Sequence, residues 1–175
     1  PGAKLLGFLA VAADAPAREE VVANDERLLR GPAFGQITPP AAATDVGQWP
    51  TYRHDAARHG STAASVTAEV EISWRADVGG PLTAPVSVDG RVYVASCDAH
   101  TMHALATDTG QPLWEFIAGG RIDSPPTIYK GLVLFGSRDG YVCCLRASDG
   151  VVIWRFFAAP RERLVVSHGG LESAW

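Results

Sequence analysis

Three cysteines in 175 residues, Cys97, Cys143 and Cys144, are too few and odd in number for a disulfide framework. That scarcity does not exclude an oxidising compartment, because a sheet-rich domain needs no disulfides. Long apolar runs are also missing. The longest near the start, Leu5 to Ala13, is about half a membrane span, so no transmembrane helix is predicted. There is no basic run, and charge of both signs is spread along the chain with a formal net charge of −4. A nucleic-acid partner is therefore not expected, and no acidic tail stands out. G-x-S-x-G, P-loop and Rossmann glycine patterns are all absent.

What is abundant is punctuation. The chain has eighteen glycines and twelve prolines, and in the second half glycine and proline punctuate short β-branched and aromatic runs. That texture predicts an all-β fold there.

The runs repeat. Trp74, Trp114 and Trp154 are evenly spaced, and the segments they begin align without a gap at a period of 40 residues, counted from 74 to 114 to 154. Gly79 matches Gly119, Gly80 matches Gly120, Pro85 matches Pro125, Leu105 matches Leu145 and Gly110 matches Gly150. In the second copy four strands are expected, at Pro126 to Tyr129, Leu132 to Gly136, Tyr141 to Arg146 and Val151 to Phe157. The turns between them are Lys130-Gly131, Asp139-Gly140 and Asp149-Gly150. Asp89-Gly90 and Asp108-Thr109-Gly110 fill similar roles in the first copy. Four short strands joined by tight hairpins make one antiparallel sheet, and a sheet recurring at this period reads as a propeller blade. Each Trp is expected to fill the gap between blades, and the Gly-Gly and Pro positions to turn the backbone where blades pass.

The segments VDGRVYVAS, DAHTMHALATDTG and QPLW, with YKGLVLFGS, RDGYVCCLRASDG and VVIW in the second copy, resemble the repeat of PQQ-binding-like β-propellers. Upstream, WPTYRHDAARHG (Trp49 to Gly60) is similar to the entry segment that precedes such propellers. The resemblance implies a partial propeller over residues 46–175, with the entry at 49–60 and blades from about Trp74. It also implies a ring of seven or eight blades, which needs about 280 to 320 residues. The chain starts at Pro1, stops at Trp175 inside the pattern, and so reads as a piece of a longer protein.

Residues 1–45 do not fit the repeat. Ala3-Lys4, the apolar run and Ala13-Asp14-Ala15 resemble a short signal peptide. The preferred alternative is a buried strand from an upstream domain or blade, followed by a helix from about Ala17 to Leu29 carrying Val21, Val22, Leu28 and Leu29 on one face. Gly31 to Gln48 reads as a linker.

Candidate chemistry is thin. Cys143-Cys144 matches the adjacent cysteines of some quinoprotein dehydrogenases, but neighbours in a strand face opposite sides, which opposes a bond between them; one is expected to be buried. Cys97, His100 and His103 have a C-x-x-H-x-x-H spacing, yet the second copy has Ser137, Gly140 and Cys143 there, so loop and surface histidines are expected rather than zinc. His54 and His59 lack the H-E-x-x-H pattern, and Arg53, Asp55 and Arg58 are expected to make local contacts in an irregular loop. Asp98, Asp108, Asp139 and Asp149 read as turn residues. No catalytic, cofactor-binding or metal-binding residue is assigned.

The family resemblance implies two kinds of function. The preferred expectation is a non-catalytic scaffold, without cofactor, that binds protein partners through propeller loops in the cell envelope, periplasmic or exported. The alternative is a piece of a quinoprotein dehydrogenase using PQQ and Ca²⁺, whose catalytic Asp and oxygen ligands would lie on other blades. Open blade edges predict an isolated chain that is marginal or self-associating.

Overall fold

The computed structural model describes residues 22–36, 47–167 and 169–174. Among them the chain forms strands and turns, with no helix. None is therefore long and apolar enough to cross a membrane. The signal-like stretch lies outside the described residues, as does the middle of the Gly31 to Gln48 linker.

Two complete blades follow one plan. The first consists of β2 (Val86–Val88), β3 (Arg91–Ser96), β4 (Thr101–Ala106) and β5 (Pro112–Ile117), antiparallel and in sequence order. The second consists of β6 (Thr127–Tyr129), β7 (Leu132–Gly136), β8 (Tyr141–Arg146) and β9 (Val152–Phe157), in the same order. The first hairpin of each blade turns on two residues of positive φ: Asp89 and Gly90 at 51° and 71°, Lys130 and Gly131 at 49° and 78°. Two central residues of positive φ match the twist of a tight hairpin, which is why glycine sits second in both. The irregularities recur too. The register slips between Ala104 and Leu105 in one blade and between Cys144 and Leu145 in the other. A third hairpin, β10 (Leu164–Ser167) with β11 (Gly170–Ser173), opens the next copy. It is tied back by Ser173 N–H donating to Arg138 O at 2.6 Å.

The core lies between the blades. Tyr93, Ala95, Met102 and Ala104 pack against Val133, Phe135, Cys143 and Leu145. Phe116 meets Phe135 edge-on, with ring centroids 6.0 Å apart. Tyr93 donates to Ala147 O across the joint at 3.3 Å, and burial pushes its hydroxyl up to about 12. These sheets form a partial β-propeller with an all-β texture.

The structure corrects the helix expected over Ala17 to Leu29. In its described part, Leu28 and Leu29 belong to strand β1 (Leu28–Arg30), which pairs antiparallel with β9 and gives the second blade a fifth, outermost strand. Gly31 and Ala33 continue the attachment by donating to Ile153 O and Val152 O at 2.9 and 3.1 Å. Arg27 fastens the near end, its guanidinium donating to the carbonyls of Phe157, Ala159 and Pro160. An edge strand satisfies these backbone groups as a helix would, while adding to a sheet that already exists.

Candidate functional site

Two of the repeated tryptophans, Trp74 and Trp114, sit at the joints between repeating units. Trp74 Nε1 donates to Thr107 O at 2.8 Å, and Trp114 Nε1 donates to Ala147 O at 3.0 Å. Each ring lies on a glycine of the same turn. A β-carbon at Gly110 would come within 2.4 Å of Trp74, and one at Gly150 within 2.6 Å of Trp114. Trp154 is half-buried against Ala33, Leu132, Leu134 and Cys144. The other matched glycines diverge. Gly79 and Gly80 have φ of 76° and 65° with open space around them. Gly119 and Gly120 lie tight against Asp139, where a β-carbon would meet its Oδ2 at 2.4 Å and its backbone N at 2.5 Å respectively. Pro85 is exposed and Pro125 half-buried.

The entry segment runs across the inner edges of both blades. Trp49 exchanges two backbone hydrogen bonds with Ser87 of β2, at 2.7 and 2.9 Å, and Pro50 O accepts from Ile128 N–H of β6 at 2.7 Å. The Thr51 and Thr127 hydroxyls lie 2.9 Å apart. Beyond this strap the chain loops back with positive φ at Arg53, His54 and Arg58. Arg58 donates to Thr51 Oγ1 and Tyr52 O, and His59 contacts Asp55 through both backbone and ring, the ring at 2.6 Å. These bonds hold the Asp55 carboxyl down at about 2. Between loop and β6 lies a cavity of about 670 Å³, whose lining includes Pro50, Thr51, Ile128 and Tyr129 together with His54 and Arg58 of the loop.

The remaining candidates serve the scaffold. Cys143 and Cys144 are both buried and free, because β8 is an interior strand packed on both faces. Burial pushes each thiol up to about 11. Cys97 is buried at the turn between β3 and β4, and burial raises its thiol as well. His100 adopts φ of 56° in a turn, whereas His103, expected at the surface, is only 6% exposed. The correction has a simple cause: His103 lies on β4 facing Ser96 and Glu115 on the flanking strands. The order Ser96, His103, Glu115 has the outline of a hydrolase relay, but Ser96 is fully buried and its hydroxyl donates to Val78 O at 2.6 Å. The imidazole Nε2 then donates to Ser96 Oγ at 3.0 Å, so the serine is not primed as a nucleophile. Sequence spacing had no way to find this group, since its members meet only across strands.

Asp139 and Asp149 accept from the backbone two residues on, as turn residues do, and each also binds an arginine, Arg155 and Arg146 respectively. Asp98 pairs with Arg121, Arg121 with Asp123, Asp123 with Arg138, and Arg138 with Glu172, making a charged ladder from the first blade to the third hairpin. Partial burial opposes ionisation of Asp123, yet hydrogen bonds from Arg138 and Arg121 prevail and lower its carboxyl. A quinone with Ca²⁺ finds no fit among the described residues. The Trp74 and Trp114 rings lie on glycines, Cys143 and Cys144 face opposite sides, and no three His, Cys, Asp or Glu converge to hold a metal ion.

Comparison with known proteins follows the same line. The profile of the family described as outer membrane protein assembly factor BamB matches residues 57–174. The chain is 32% identical over 83 residues to outer membrane protein assembly factor BamB of Burkholderia pseudomallei (strain K96243), covering 47% of this chain and 22% of that protein. It is 32% identical over 100 residues to the factor of the same name from Legionella pneumophila (strain Paris), covering 51% of this chain and 26% of that protein. The chain thus spans about a quarter or less of the length of these relatives. Among solved structures, quinohemoprotein alcohol dehydrogenase from Comamonas testosteroni is similar over 67% of this chain and 20% of its own, with 24% identity and a TM-score of 0.54, a likeness of fold. With a matched span of two blades and the start of a third, the chain belongs to the outer membrane protein assembly factor BamB family.

Proposed function

We propose that this chain is part of a non-catalytic propeller scaffold that binds protein partners in the cell envelope, in the periplasm or exported. The observation that carries the reading is the use made of the repeat's motif residues. Trp74 and Trp114 are committed through ring and Nε1 to the next copy, so the motif builds joints and leaves recognition to the loops. Membership of the assembly-factor family supports a partner among outer-membrane protein assembly components.

Two measurements on the full-length protein test it. Calorimetric titration with PQQ, with and without Ca²⁺, is expected to show no binding. Photo-crosslinkers placed at the exposed turn residues Ala99 and Ser148 are expected to give discrete adducts with assembly components. Tight, Ca²⁺-dependent PQQ binding would replace the scaffold reading with a dehydrogenase.

A further inference from the structure

Two exposed tyrosines, Tyr52 in the entry segment and Tyr129 at the end of β6, each carry their own cation. Tyr52 is 50% exposed, and the Arg58 guanidinium lies 5.9 Å from its ring centroid. Tyr129 is 56% exposed, with Lys130 Nζ 5.1 Å from its centroid. Tyr129 and Arg58 both line the cavity described above, whose lining is mostly apolar. Arg53, on the same loop, lays its side chain beside Gly60 and adds a third positive charge. Asp55, the only acid among the described residues lining the cavity, is already engaged by His59.

These groups are held in place before any ligand arrives. Arg58 is fixed by its bonds to Thr51 and Tyr52, and Lys130 sits in a two-residue turn of positive φ. Pre-ordered tyrosines and cations around a mostly apolar cavity have the composition of protein-binding hot spots. The excess of positive charge selects the sign of what binds. Resting on the scaffold reading, we infer that this cavity mouth docks an acidic extended segment of a protein partner, with apolar or aromatic side chains entering over Ile128.

The test uses the full chain and two fluorescent peptides, one alternating Asp and Phe, the other alternating Lys and Phe. The Asp/Phe peptide is expected to bind, and to weaken about tenfold when salt is raised from low to above physiological strength. Its binding is expected to fall about tenfold in the double variant Arg53→Asn, Lys130→Asn, since Asn tolerates positive φ while removing the charge. Tyr129→Ala, at an exposed position, provides a second variant with little risk to folding. Equal binding of both peptides, no binding of either, or unchanged binding in both variants would overturn the proposal. Displacement of the peptide by inorganic phosphate would identify a small-anion site instead. A dimer that the double variant converts to monomer would identify a second copy as the occupant. Adducts from Ala99 and Ser148 that persist when peptide binding fails would leave the scaffold reading intact and remove only this site.

Discussion

Trp114 and Gly150 belong to different blades and occupy one joint: a β-carbon at Gly150 would lie 2.6 Å from the indole, which donates to Ala147 O three residues before that glycine. Gly150 also has φ of 73°, so Gly150→Ala meets both a clash and a strained backbone. The expected loss is about 2–4 kcal/mol. Trp114→Ala is expected to cost about 3 kcal/mol, the lower end for a large aromatic because the ring is half-buried. Trp49→Ala, at the strap, is expected to cost less, about 1–2 kcal/mol. Urea denaturation of the three variants checks the ranking, and equal losses for Trp114→Ala and Trp49→Ala would contradict it.

Gly79 in the first copy and Gly120 in the second, one from each Gly-Gly pair, predict opposite tolerances. Gly79 needs positive φ but has open space, so Gly79→Asn is expected to cost within about 1 kcal/mol. Gly120 faces the backbone nitrogen of Asp139, which cannot yield as a side chain can, so Gly120→Ala is expected to cost about 2–3 kcal/mol. Thermal melts that ranked the two the other way would refute the contact.

Asp55 gives the entry loop a dependence on acid. Its carboxyl falls from the ordinary 3.8 to about 2, chiefly through the hydrogen bond with His59. A depressed carboxyl stabilises the folded loop above its unfolded value, and that contribution fades as pH drops from about 4 through 2. Carboxyl NMR should place the Asp55 midpoint near 2, and amide exchange at Arg58 and His59 should rise over the same window. Asp55→Asn should remove that acid step.

Burial makes the three thiols inert. Cys143 and Cys144 are raised to about 11 and Cys97 is raised too. Iodoacetamide at neutral pH is expected to label none of them quickly in the native chain and all three in urea. Mass spectrometry with and without reductant should show no difference, and a two-proton loss under non-reducing conditions would reveal a Cys143–Cys144 bond.

The strands of the second copy were legible because their turns announce them. The expected limits of β7 and β8 coincide with the observed ones, and those of β6 and β9 differ by one residue at the start. Strand β1 was not legible, since Leu28 and Leu29 suit a helix face or a strand equally and the edge that settles the matter lies in β9. The converse holds for Val66, Val70 and Ile72, which alternate with polar residues as strand residues do yet stay exposed and unpaired into strands. A strand is a property of two segments, so one segment's pattern cannot decide it. At the candidate site the local contacts of Arg58 and Asp55 were foreseeable from their neighbours. The meeting of Tyr129 with that loop was not, because it depends on how the strap crosses β6.

The indole at each joint reaches forward, with its acceptor 33 residues later in both cases. At the joint between the two complete blades the first carries a plug on its last strand and the second a socket in its third turn, and Trp74 fills the same socket of the first blade from upstream. Duplicating any stretch one period long, wherever the cut falls, reproduces one plug and one socket in the right order. An array built this way can lengthen or shorten by whole units without designing a new seam, and its direction of assembly is written into the chain.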